Sequence, residues 1–229
     1  MAKTKQQIII LGEEPLVEEM TLVCHQHKYS CLISKDKLPR SATAAFELTN
    51  TDGTRKKKNL EKLEKSLSPA TFIFSSSITI SAAEQATWLQ HPERLIGISA
   101  LPGLLSSPLI EIALPQQVKS TTVQKALSFL QSLGKEISVI QDRIGMVTPR
   151  VLCMLINEAY FTAMENVGSP KDIDLAMKLG TNYPLGPIEW ASKITFKQVI
   201  SVLDALHANL GEERYRVSPL LRQMALKFD

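Results

Sequence analysis

A glycine turn behind a β-branched run is the first place to look for nucleotide chemistry. Residues 7–11 read QIIIL and lead into Gly12-Glu13-Glu14-Pro15-Leu16-Val17. A dinucleotide site needs glycines spaced GxGxxG between a strand and a helix. The first makes the turn, the second lets the pyrophosphate approach the backbone, and the third lets helix and strand pack closely. Gly12 supplies the first, but Glu14 and Val17 stand at the second and third positions. Glu14 places a side chain in the approach path and a carboxylate opposite an anion. The acid that would hold the ribose belongs at the end of the second strand, where the sequence reads Leu32-Ile33-Ser34. Ser34 offers no charge there, so the spacing predicts a degenerate dinucleotide site.

Other residues capable of chemistry are scattered. His25 and His27 follow the first helix, and His207 sits in a late one, where surface or core packing is the ordinary role. Cys24, Cys31 and Cys153 lack CxxC spacing and fall in apolar patterns. They read as buried, inert thiols of a reducing cytoplasm, with no metal site. Trp88 and Trp190 stand at apolar helical positions and read as core residues. Arg55-Lys56-Lys57-Lys58 reads as the solvated face of a helix start. An anion or nucleic-acid patch is the minority reading, and the absence of interleaved aromatic residues weakens the nucleic-acid case. The 229 residues are 44% apolar and 21% charged with a net charge of +3, an ordinary globular balance. No run approaches the ~18 apolar residues of a membrane span, and the run at 8–11 is too short for a secretory signal. A cytoplasmic protein without membrane or nucleic-acid partners is the expectation.

The elements that would position these residues follow from periodicity. Strands are predicted at 7–11, 29–34, 44–49, 70–76, 94–100, 109–114 and 136–141. Helices are predicted after Pro15 and over 54–67, 81–90 and 121–134, the last closed by Gly134. Alternation at this spacing implies βαβ units and a largely parallel sheet. From 142 onward only helical patterns remain. The chain therefore reads as α/β, a Rossmann-like parallel-sheet domain over 1–144, followed by an all-helical domain over 145–229.

Three segments carry a family resemblance. DIDLAMKLGTNYPLGPIEW (172–190) is similar, almost residue for residue, to the start of the helical C-terminal domain of the 3-hydroxyacyl-CoA dehydrogenase family. HPERLIG (91–97) resembles that family's entry into the strand bearing its catalytic histidine, and FEL with KKKNLEKL (56–63) resembles its third-strand region. The resemblance implies a Rossmann-like domain using NAD, a helical domain that forms a homodimer, and an active site between them. It further implies oxidation of a 3-hydroxyacyl-CoA in fatty-acid metabolism by a histidine base and an orienting glutamate. Ser99 stands at the histidine position and Glu111 at the glutamate position. Ile78 replaces a substrate-contacting serine, with Thr79 the nearest hydroxyl, and Pro149 replaces an asparagine. Lys56 matches a lysine near the cofactor. His91, about 25 Å from Ser99 at ~3.3 Å per extended residue, cannot substitute for the base. Only residues 35–43 stand where the family carries a long coenzyme-A-binding excursion, and the chain ends at Asp229, before the family's usual tail. The reading is a shortened, divergent member. Its alternative is a non-catalytic pseudoenzyme that dimerises or binds an acyl-CoA-like ligand.

Overall fold

The computed structural model describes residues 7–33 and 38–228, and Ser34 lies outside them. The described chain divides into two compact units between Met146 and Val147.

The first unit runs β1 (Gln7–Gly12), α1 (Leu16–Gln26), β2 (Ser30–Ile33), β3 (Ala44–Leu48), α2 (Gly53–Ser66), β4 (Phe72–Ser76), α3 (Ala82–Ala86), β5 (Leu95–Ile98), β6 (Leu109–Ala113), α4 (Ser120–Ser132) and β7 (Glu136–Ile140). The seven strands lie in the order β2-β1-β3-β4-β5-β6-β7. All neighbours are parallel except β5 and β6, so β6 and β7 run against the other five.

Both faces of the central strands are buried, which explains the unbroken apolar run of β1 and the largely apolar β3 and β4. Ile8, Ile10, Phe46 and Phe74 face a cluster shared with α1 and α4. Ile9, Leu11, Ala45 and Ile73 face the other side, against Leu60 and Leu63 of α2. Phe46 and Phe74 stack at 5.1 Å and Phe74 meets Phe129 of α4 at 5.9 Å, fixing α4 on its face. The expected helix over 81–90 is shorter than its pattern. α3 ends at Ala86, and Trp88 lies beyond it, half-buried under the ammonium of Lys57. Trp190 is likewise only half-buried, beside Lys193. Neither tryptophan is the sealed core residue expected: Trp88 packs at the edge of the α2-side cluster, and each indole has a lysine ammonium over its ring.

The second unit comprises α5 (Thr148–Met164), α6 (Pro170–Thr181), α7 (Pro187–Ile194), α8 (Phe196–Leu210) and α9 (Pro219–Phe228). The segment of strongest resemblance is a packing device here. Asp174 of α6 accepts from the amides of Ile188 and Glu189 at 2.8 and 3.1 Å, capping α7 from a neighbouring helix. A β-carbon on Gly186 would lie 2.2 Å from the Asp174 carboxyl, so only glycine allows this approach. Glu189 returns a bond to the Gly186 amide at 3.0 Å and accepts from Lys178 at 2.8 Å. Asn157 of α5, buried, donates to Arg216 O and accepts from Ser218 N, holding the approach to α9.

Candidate functional site

In an open parallel sheet, ligands bind beyond the carboxyl ends of the strands, at the point where strand order reverses. Here the chain moves outward from β1 to β2 and then returns to the other side as β3, so that point lies between β1 and β3. The two walls are in contact. The Glu13 amide donates to Leu48 O at 3.2 Å. A β-carbon on Gly12 would sit 2.6 Å from the same carbonyl oxygen. Gly12 is thus required by the close approach of β3. The Glu13 carboxylate reaches across and accepts from the amides of Asn50 and Thr51 at 2.8 and 3.2 Å and from the Thr51 hydroxyl at 2.7 Å. Arg55 donates to Gly12 O.

The first turn of α1 carries its own anion as well. The exposed Glu14 carboxylate accepts from the Glu18 amide at 3.1 Å. Val17 points into the core beneath α1. Behind the turn, Asn50 is a hub. Its side chain donates to Ala100 O at 2.8 Å and accepts from Ser76 at 2.5 Å, while Thr79 donates to its carbonyl at 3.0 Å. The β5–β6 connection is tied down too. Glu19 accepts from the amides of Gly103 and Ser106 at 2.8 and 2.7 Å, and Lys135 donates to Leu105 O and Ser107 O. Burial lowers the pKa of the Lys135 ammonium, and Glu19 partly opposes that shift.

Ser99 and Glu111 do meet. They face each other where β5 gives way to its antiparallel neighbour. Ser99 N donates to Glu111 O at 3.0 Å, and the Glu111 amide donates to the Ser99 hydroxyl oxygen at 3.1 Å. Glu111 is buried and Ser99 half-buried. Ile78 is fully buried, and its carbonyl accepts from Gly145 N at 2.8 Å. The hydroxyl of Thr79, next to it, is spent on Asn50 O. Pro149 is buried in the first turn of α5, in the second unit.

Lys56 corrects the reading of the basic run. Arg55, Lys57 and Lys58 are exposed, but Lys56 is 1% exposed and paired with Glu47, itself wholly buried. Its ammonium also donates to Ser76 O at 2.9 Å and to the Ser75 hydroxyl at 3.3 Å. One residue of a helical run must face the sheet, and Lys56 lies one turn before Leu60 on the buried stripe. Nothing of Glu13, Glu47 or Asn50 was foreseen from sequence. The acidic Glu47 inside an otherwise apolar strand was the available signal, since a buried carboxylate demands a cation.

The remaining chemical groups do not assemble. His25 and His27 are exposed at the far end of α1, and exposed His91 lies 3.5 Å from Glu93. Cys24 and Cys153 are buried, free thiols pushed well up, Cys24 by its hydrogen bond with Cys31 and by burial, Cys153 by burial. Cys31 is only half-buried, short of the expectation, because it lies on the edge strand β2. Among the described residues no group of three or more His, Cys, Asp and Glu is placed to hold a metal, and no helix is long and apolar enough to cross a membrane.

Residues 31–143 match the NAD binding domain of 3-hydroxyacyl-CoA dehydrogenase, and residues 145–227 match its C-terminal domain. The 3-hydroxybutyryl-CoA dehydrogenase of Bradyrhizobium diazoefficiens is 34% identical over 212 residues, covering 93% of this chain and 70% of that protein. A probable 3-hydroxybutyryl-CoA dehydrogenase of Bacillus subtilis is 32% identical over 161 residues, 70% of this chain and 56% of that one. In fold, the (S)-3-hydroxybutyryl-CoA dehydrogenase of Ralstonia eutropha superposes with a TM-score of 0.81 at 21% identity, over 98% of this chain and 94% of that one.

Proposed function

The chain belongs to the 3-hydroxyacyl-CoA dehydrogenase family, and we propose that it is a non-catalytic member, a dehydrogenase scaffold serving to dimerise or to bind an acyl-CoA-like ligand. The observation that carries this reading is the use made of Ser99. Where the resemblance calls for an imidazole base, a neutral hydroxyl accepts a hydrogen bond from the Glu111 amide across two strands. A positioned general base contributes about 10²- to 10⁴-fold to such a reaction, and serine has none of its own to use at neutral pH. The turn after β1 also does not fit the pyrophosphate of NAD. The amides of Asn50 and Thr51 already hold the Glu13 carboxylate, and a second carboxylate, Glu14, caps α1.

A second reading, NAD-dependent oxidation of a 3-hydroxyacyl-CoA by a rearranged site, draws on the identity to the Bradyrhizobium relative and on the buried Glu111. The two separate in one assay, NADH formation from 3-hydroxybutyryl-CoA and NAD by the full chain. The proposal expects none. Turnover above ~1 per second, the low end of ordinary enzymes, establishes the second reading instead. A thermal-shift series with acyl-CoA esters tests the ligand, since anything binding the native state raises its melting temperature by mass action.

A further inference from the structure

We infer that Glu13 is an internal occupant of the ligand crevice, a carboxylate of the chain itself that latches the carboxyl ends of β1 and β3 and takes the place of an external anion. The inference rests on the reading that this turn does not hold NAD, and it names the group that closes it. The missing glycines explain why a pyrophosphate would be poorly received. They do not explain why the crevice is shut. Glu13 does, because one carboxylate satisfies two consecutive backbone amides and a hydroxyl on the far side of the reversal point. Consecutive amides converging on one oxygen are the arrangement that proteins offer to phosphate and carboxylate anions. Here the same Oε1 accepts from both Asn50 N and Thr51 N.

The surroundings suit an anion bound from within. The Arg55 guanidinium lies against Gly12 O at the same mouth. Of the other acids there, Asp52 is engaged on the Arg55 amide at 2.9 Å, capping α2, and Glu14 on the Glu18 amide at 3.1 Å. The latch is also coupled inward. Asn50, whose amide Glu13 holds, fixes Ala100 O beyond β5 and Ser76 at the end of β4 through its side chain. Releasing Glu13 therefore frees the outer wall of a network that spans four parallel strand ends. A ligand arriving from solution must displace a carboxylate that belongs to the chain itself, so the competition is intramolecular.

The test uses the full chain and two readouts, amide hydrogen exchange at Asn50 and Thr51 and protection of those amides by inorganic pyrophosphate. In the wild-type chain both amides should exchange slowly and ignore millimolar pyrophosphate. Glu13→Ala should speed exchange at Asn50 and Thr51 at least tenfold, whereas Glu14→Ala should leave them within twofold. In the double variant Glu13→Ala with Glu14→Ala, pyrophosphate should restore at least half of the lost protection. Should Glu13→Ala not fold, Glu13→Gln keeps the side-chain length without the charge, and exchange at least threefold faster than wild type supports the latch. Unchanged exchange in whichever variant folds overturns it. So does pyrophosphate protection of the wild-type chain, which would mean that the crevice is open. Faster exchange that pyrophosphate cannot reverse refutes the idea that Glu13 stands in for an anion. Catalysis is read separately, as NADH formation by the wild-type chain, so failure of the non-catalytic reading and failure of the latch are distinguishable.

Discussion

Replacing Lys56 with methionine asks whether this residue is a cofactor ligand or part of the frame. In the structure the ammonium is 1% exposed, and its partner Glu47 is fully enclosed. Methionine fills nearly the same volume, so the change removes charge with little loss of packing. Glu47 would keep only neutral donors, Asn59 at 3.1 Å, the Thr49 amide at 3.3 Å and the Ser75 hydroxyl at 3.4 Å. Ser76 O would lose the ammonium and keep Gln85 at 2.9 Å. Breaking a buried ion pair by removing one partner costs about 3–5 kcal/mol, because the other charge is left uncompensated. At ~2–4 °C per kcal/mol for a domain near 150 residues, melting should fall by roughly 6–20 °C. The cost should not appear when both charges go. The double variant Lys56→Met with Glu47→Gln removes both charges and keeps one acceptor oxygen at position 47, and should recover most of the loss. Thermal and urea unfolding of the wild type, both single variants and the double variant close the cycle. A Lys56→Met chain that melts within 2 °C of wild type, a shift worth about 1 kcal/mol or less, would refute the structural role and return Lys56 to the cofactor reading.

Four further outcomes are expected. Ser99→His alone should give no measurable NADH formation from 3-hydroxybutyryl-CoA. Turnover above ~1 per second would show that the account of the β1 turn is wrong. Gly186→Ala should cost the helical unit about 2–4 kcal/mol, combining a lost cap and a forced overpacking, because the new methyl meets the Asp174 carboxyl at 2.2 Å. Trp190 fluorescence during unfolding would report it, and an unchanged midpoint would contradict the geometry. The bonds from Lys178 first and then from the Gly186 amide hold the Glu189 carboxyl below its ordinary value. Its stabilising effect is therefore complete above the unfolded value of about 4.3 and disappears as pH falls through the lower folded value. Wild type and Glu189→Gln should differ at pH 7 and converge in acid, and a gap that persists in acid would assign the effect to something other than this carboxylate. Finally, light scattering should return twice the 25.4 kDa chain mass. The motivation is the exposed Leu175, Leu179 and Val167 of the helical unit, with Leu179 78% exposed. A monomer at micromolar concentration would refute the homodimer, and Leu179→Lys should produce one.

Much was legible in the sequence because it is local. The alternation of β-branched runs with helical stripes marks the places of the seven strands found among the described residues, since a strand in the sheet interior is mostly apolar and a helix covering it needs one apolar stripe. The change of character after 142 shows in the same way. So does the defect in the glycine spacing at Glu14 and Val17, which needs no partner to be recognised. Tertiary structure alone decided the partners. Glu13 meets Asn50 and Thr51 only because β3 returns beside β1, a contact across 37 residues that no local pattern encodes. Lys56 looked like one of four solvated cations, until the helix's rotation against the sheet placed it over Glu47. The motif at 172–190 was readable as a resemblance, but its work as a cap built from Asp174 and Gly186 depends on two helices meeting at one contact. Periodicity fixes which face of an element turns inward, and only the packing of those faces decides which buried charge finds which partner.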